Sequence, residues 1–163
     1  MKYAIFAAAL AQRVRRLERD GHNDVLINAG PGAGKTLGAL LSFERLEREG
    51  RLQRLLVFCH RSSIASQWIA SCERLQLKLR EWQPGLSGAD LQDQHGLLIT
   101  YQAAGRNLED LLGQFSSWGW GPWLAIADEV HHLGVDPEEP EATAWGHAFS
   151  QLSQRATLRL GLT

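Results

Sequence analysis

Ala29-Gly30-Pro31-Gly32-Ala33-Gly34-Lys35-Thr36 decides how this 163-residue chain is read. Val25-Leu26-Ile27 before it has the make-up of a short buried strand, and residues 37–46 after it keep apolar side chains at helical spacing. A glycine-rich turn between strand and helix that ends in Lys-Thr is a phosphate loop. Successive backbone N–H groups wrap the phosphates, Lys35 reaches the β and γ phosphates, and the Thr36 hydroxyl ligates Mg2+. Gly30, Gly32 and Gly34 let the backbone turn tightly and come close to the anion, with Ala33 inside the same wrap. Ala29 stands where the strict pattern has its first glycine, and so small a residue leaves room for the turn.

Working outward, the same alternation continues. Phe6, Leu10, Val14 and Leu17 lie on one stripe of an expected first helix, which Gly21-His22-Asn23-Asp24 stops. The helix after the phosphate loop is expected to run to about Glu49, with Gly50 as its cap. Leu55-Leu56-Val57-Phe58 is a second buried strand. His60-Arg61-Ser62-Ser63 then opens a helix whose core face carries Ile64, Trp68, Cys72 and Leu75. A polar strand end at a helix start suits an anion, including a nucleic-acid phosphate, although Ser62 or Ser63 could simply cap the helix. Residues 84–95 have loop composition. Leu97-Leu98-Ile99 is a third strand, ending in Thr100-Tyr101-Gln102, and Leu108, Leu111, Leu112 and Phe115 suggest a short helix. Trp118, Trp120 and Trp123 flank the next strand, where packing is the plainer role and base stacking the rarer one.

Trp123-Leu124-Ala125-Ile126-Ala127 delivers Asp128-Glu129-Val130-His131-His132 at its carboxyl end. There an acidic residue can hold the magnesium that bridges the β and γ phosphates, and a second can orient and deprotonate the attacking water. Asp128 takes the first role and Glu129 the second. A metal site built from Asp128, His131, His132 and His147 is the alternative, but it lacks recognised ligand spacing. Residues 136–141 form an acidic loop, residues 142–152 a helix, and Leu158, Leu160 and Leu162 a fifth strand. Strands written as continuous apolar runs between helices predict an α/β fold: a mostly parallel sheet of at least five strands in a three-layer sandwich. Ligands then belong at the carboxyl ends of the strands, where the phosphate loop, Thr100 and Asp128-Glu129 all fall.

Composition narrows the rest. A hydrophobic content of 44% in 163 residues suits one globular domain. No apolar run reaches membrane-spanning length and no signal peptide is visible. Cys59 and Cys72 without metal-like spacing point to a reducing cytoplasm and ordinary core thiols. A formal net charge of −1 offers no broad attraction to nucleic acid, so any such contact has to be local.

With both motifs in place, the whole chain resembles the first RecA-like domain of superfamily 2 helicases and translocases. It looks closest to the DExH branch that contains restriction-enzyme-like and DNA-repair helicases. Residues 29–36 resemble motif I and residues 128–132 motif II. Arg61 to Trp68 resembles motif Ia, Ile99-Thr100-Tyr101-Gln102 the DNA-contacting segment that follows, and Leu160-Gly161-Leu162-Thr163 the opening of motif III. The resemblance implies a P-loop NTPase fold, ATP and Mg2+ as cofactors, and hydrolysis coupled to movement on nucleic acid, DNA rather than RNA. It further implies that His131 couples the nucleotide site to motif III at Thr163, and that Arg61 and Thr100 touch the nucleic-acid backbone. A second RecA-like domain, expected to lie outside a chain that stops within motif III, would supply the arginines that complete the hydrolysis site. The competing expectation is a nucleotide-gated assembly subunit of a restriction or defence complex that does not unwind.

Overall fold

The computed structural model describes residues 24–28, 34–117, 122–133 and 140–163. The expected first helix, residues 29–33 of the phosphate loop, Trp118, Trp120 and most of the acidic loop lie outside the described residues. The elements in chain order are β1 (Asp24–Ile27), α1 (Lys35–Arg48), β2 (Arg54–Cys59), α2 (Ser62–Arg74), β3 (Leu79–Glu81), α3 (Gly88–Leu91) and β4 (Gly96–Thr100). They continue with α4 (Tyr101–Arg106), α5 (Leu108–Ser117), β5 (Trp123–Ala127), a 3-10 turn (Val130–Leu133), α6 (Pro140–Leu152) and β6 (Leu158–Leu162).

The described strands form one sheet in the order β1-β6-β5-β2-β4-β3, and every pairing in it is parallel. The continuous apolar runs explain this, because β2, β4 and β5 are buried on both faces. One face packs Leu55, Val57, Leu98, Leu124, Ile126 and Leu160 against Leu40, Phe43 and Leu46 of α1 and Trp68 and Cys72 of α2. The other packs Leu56, Phe58, Leu97, Ile99 and Trp123 against Tyr101 of α4, Leu111 and Phe115 of α5, and Leu152 of α6. The result is the three-layer α/β sandwich that the sequence implies, and Trp123 belongs to its core.

Two features exceed the sequence expectation. A sixth strand, β3, pairs with β4 beyond the five foreseen. Residues 84–95 are not all loop, since Ser87 opens the single turn α3 with a reciprocal capping box to Asp90. At the other end of the sheet, Arg159 donates from Nε and from one terminal guanidinium nitrogen to the two carboxylate oxygens of its cross-strand partner Asp24, at 2.7 and 2.6 Å. That bidentate pair fixes β1 against β6. Where β4 starts, a Cβ on Gly96 would overlap the carbonyl oxygen of Leu55, so only glycine allows β2 and β4 to close there. Cys59 and Cys72 are buried free thiols, each pushed up to about 12 by burial, which keeps them protonated packing groups.

Candidate functional site

Parallel strands place their carboxyl ends along one edge, and the register aligns the functional residues there. Ala127 pairs with Phe58 and with Gly161, Cys59 with Thr100, and Ile27 with Leu162. Asp128 and Thr163 are therefore each one step past a paired row. The Asp128 N–H donates to the Phe58 carbonyl at 2.8 Å and the Thr163 N–H to the Ile27 carbonyl at 3.1 Å.

Gly34 stands at the N-cap of α1 with φ +74°, the left-handed region that a side chain disfavours. Nothing caps α1 through a side chain, and its first turn carries no acidic residue. Lys35 and Thr36 are half-buried in that turn, at the positive end of the helix.

Asp128 is anchored through both its backbone and its side chain. It is 9% exposed, and besides the Phe58 carbonyl two side chains hold it. The indole N–H of Trp68, from α2 on one face of the sheet, donates to Asp128 Oδ2 at 2.9 Å. The Tyr101 hydroxyl, from α4 on the opposite face, donates to the Asp128 carbonyl at 2.6 Å. Burial raises the Tyr101 phenol, which keeps it a donor. Burial also pushes the Asp128 carboxyl above its ordinary range, and Glu129 adds to this. The Trp68 hydrogen bond, the Lys35 ammonium and the Glu129 backbone N–H pull the other way. A carboxylate that is costly to ionise alone, beside an uncapped helix start, suits a cation.

Glu129 follows with φ +49°, a left-handed conformation that costs an L-residue about 1–3 kcal/mol. The chain then enters the 3-10 turn, where His131 Nδ1 lies 3.5 Å from Thr163 Oγ1. Asp128-Glu129 and the end of β6 are thus brought together through the histidine. Among the described residues no group of three or more His, Cys, Asp or Glu is arranged to hold a metal, so nothing there favours the His131/His147 alternative.

Arg61 is itself the N-cap of α2, and no side chain caps that helix either. Residues 61–63 are exposed, and the Ser62 hydroxyl donates to Glu81 Oε1 at 3.3 Å rather than capping. Thr100 differs, because its hydroxyl oxygen accepts from the Ala103 N–H at 3.2 Å and caps α4. Sequence reasoning missed Trp68 and Tyr101 as polar partners of Asp128. An indole or phenol on a helix's core face was the available signal, since its N–H or O–H must find an acceptor when buried.

A cavity of about 420 Å3 reaches the β5 and β6 ends of this edge, lined mainly by Leu26, Val130, Leu133, Phe149, Leu160 and Gly161. It is apolar and includes neither Lys35 nor Glu129, so chemistry and not volume locates the site. No helix of the described residues is long and apolar enough to cross a membrane.

Residues 4–163 match the family model described as type III restriction enzyme, res subunit. No curated protein matches the chain. Among solved structures, the Sulfolobus solfataricus SWI2/SNF2 ATPase core in complex with double-stranded DNA is similar at 20% identity and TM-score 0.71, over 97% of this chain and 31% of that one. A nuclease-deletion mutant of the type ISP restriction-modification enzyme LlaGI, in complex with a DNA substrate mimic, is similar at 14% identity and TM-score 0.61, over 95% and 17%. S. tokodaii Xpd4 is similar at 21% identity and TM-score 0.56, over 78% and 26%. The chain shares their fold and spans less than a third of the first two.

Proposed function

The chain belongs to the type III restriction enzyme res-subunit family and is a first RecA-like domain of superfamily 2 helicase-like ATPases, and on that premise we propose that it couples Mg-ATP hydrolysis to movement on, or unwinding of, DNA. Residues 1–163 form its ATP-binding domain, and a second RecA-like domain elsewhere in the protein completes the site. The observation that carries this reading is the meeting, at one sheet edge, of the uncapped α1 start at Lys35-Thr36 with Asp128-Glu129, close enough for the Lys35 charge to act on the Asp128 carboxyl.

The residues divide the work. Backbone from Gly30 to Gly34 and the Lys35 ammonium hold the phosphates. Thr36 and Asp128 would hold Mg2+, which would neutralise phosphate charge when bound. Glu129 accepts a proton from water, from the left-handed position that ends the run of β5. His131 and Thr163 pass the state of the nucleotide site to the end of β6, while Arg61 and Thr100 grip the strand's phosphates. Arginines from the second domain supply roughly 10³ to 10⁵ in rate where such fingers have been measured.

The test is ATP hydrolysis by the full-length protein with and without single- and double-stranded DNA and RNA. Stimulation by DNA is expected, and RNA-only stimulation would change the track. Glu129→Gln should keep ATP binding and lose about 10²- to 10⁴-fold in turnover, the range for a general base. Nucleotide binding without stimulated turnover would favour the gated assembly subunit.

A further inference from the structure

Trp68 is 1% exposed in the middle of α2, packed on the sheet face opposite to Tyr101. A buried indole N–H must be satisfied, and a backbone carbonyl would do. Here the acceptor is instead a carboxylate oxygen, 60 residues away in sequence. The backbone of Asp128 is independently pinned, through its N–H to Phe58 and through its carbonyl to Tyr101. Rotation of the carboxylate about its side-chain bonds is the freedom these backbone bonds leave open, and Trp68 acts on that freedom.

We propose that Trp68 is a positioning residue for Asp128: its indole N–H fixes the carboxylate in the orientation in which it meets the nucleotide's Mg2+. The inference rests on the reading of Asp128 as the magnesium ligand. It also ties α2, which starts at Arg61, to the metal through a rigid side chain rather than through the loops between strands. Hydrogen bonds of this kind to a ligating carboxylate carry about 10- to 100-fold in metal affinity.

The test uses Trp68→Phe, which keeps an aromatic ring and removes the donor. ATP affinity of the chain is titrated calorimetrically in EDTA and across a MgCl2 series. Unchanged affinity in EDTA with a half-saturating Mg2+ concentration raised about tenfold is the expected result, and a merely structural role would lower both affinities together. A Mg2+ requirement within twofold of the wild type overturns the inference. A second measurement does not depend on that variant folding. Among the indole N–H resonances of the six tryptophans, that of Trp68 should shift most in Asp128→Asn and again when MgCl2 and ATP are added to the wild type; an unmoved resonance also overturns it. A wild-type chain that binds ATP with no Mg2+ dependence would instead remove the metal role of Asp128, and this inference with it.

Discussion

Four helices each follow a strand of the sheet, and they begin in two ways. α3 and α4 start with their own caps, Ser87 accepting from the Asp90 N–H and Thr100 from the Ala103 N–H. α1 and α2 start with Gly34 and Arg61, have no side-chain cap, and carry no acidic residue in the first turn. A helix start leaves several N–H donors without partners in its own ladder, worth about 0.5–2 kcal/mol when a cap satisfies one. The first pair meets that need internally. The second pair leaves it to water or to a ligand, and the proposed function assigns the α1 start to ATP and the α2 start to the tracking strand.

The comparison is tested most severely at α1. Lys35→Ala removes the ammonium group from the first turn of α1, and charge-assisted hydrogen bonds are worth about 1.5–3 kcal/mol. ATP affinity measured by calorimetry should fall roughly 10- to 100-fold while the melting temperature holds. An unchanged affinity would mean that the uncapped start does not bind phosphate.

Asp128 gives the next effect, in stability and pH. Its folded-state carboxyl titrates above the ordinary value, chiefly through burial. Between the unfolded and the folded value the native state holds a proton that the unfolded chain has lost, so Asp128 costs stability progressively as pH rises through that window. Asp128→Asn removes the cost. In EDTA at neutral pH the variant should melt above the wild type, by about 2–4 °C per kcal/mol regained. The gap should close as pH falls towards 4. A variant that melts lower at every pH would show that the ionised carboxylate is favourable where it sits.

At α2 the expected loss is smaller, because Arg61 is exposed to solvent. Arg61→Ala should weaken single-stranded DNA binding by roughly tenfold at low salt and reduce the slope of log affinity against log salt by about 1. A loss confined to one DNA sequence would point to base contact instead of phosphate contact.

The contrast between helix starts also shows what could be read in the sequence. The placement of Lys35-Thr36 at a helix start and of Asp128-Glu129 at a strand end was legible because each motif is contiguous, and the parallel sheet because its central strands are unbroken apolar runs. β3 was not, since three residues with only Leu79 buried give no period to detect. The cap of α2 was ambiguous by one position: Ser62 and Ser63 are good capping types, but the helix starts one residue earlier in register, at Arg61, and Ser62 turns to Glu81. The hold on Asp128 could not be read at all, because Trp68 and Tyr101 lie 60 and 27 residues away and sit on opposite faces of the sheet.

Thr100 sits between the two classes and gives the smallest expected effect. Its hydroxyl oxygen caps α4, yet the hydroxyl hydrogen can still be donated to a phosphate, so one group has two uses. Thr100→Ala should lower stability by about 1 kcal/mol through the lost cap. It should also weaken DNA binding by only about two- to threefold, since a neutral hydrogen bond contributes roughly 0.5–1.5 kcal/mol. Thr100→Ser keeps the oxygen and should restore both quantities. If the alanine variant instead loses as much DNA affinity as Arg61→Ala, a capped helix start would be gripping the strand as firmly as an uncapped one, and the division between the two kinds of start would fail.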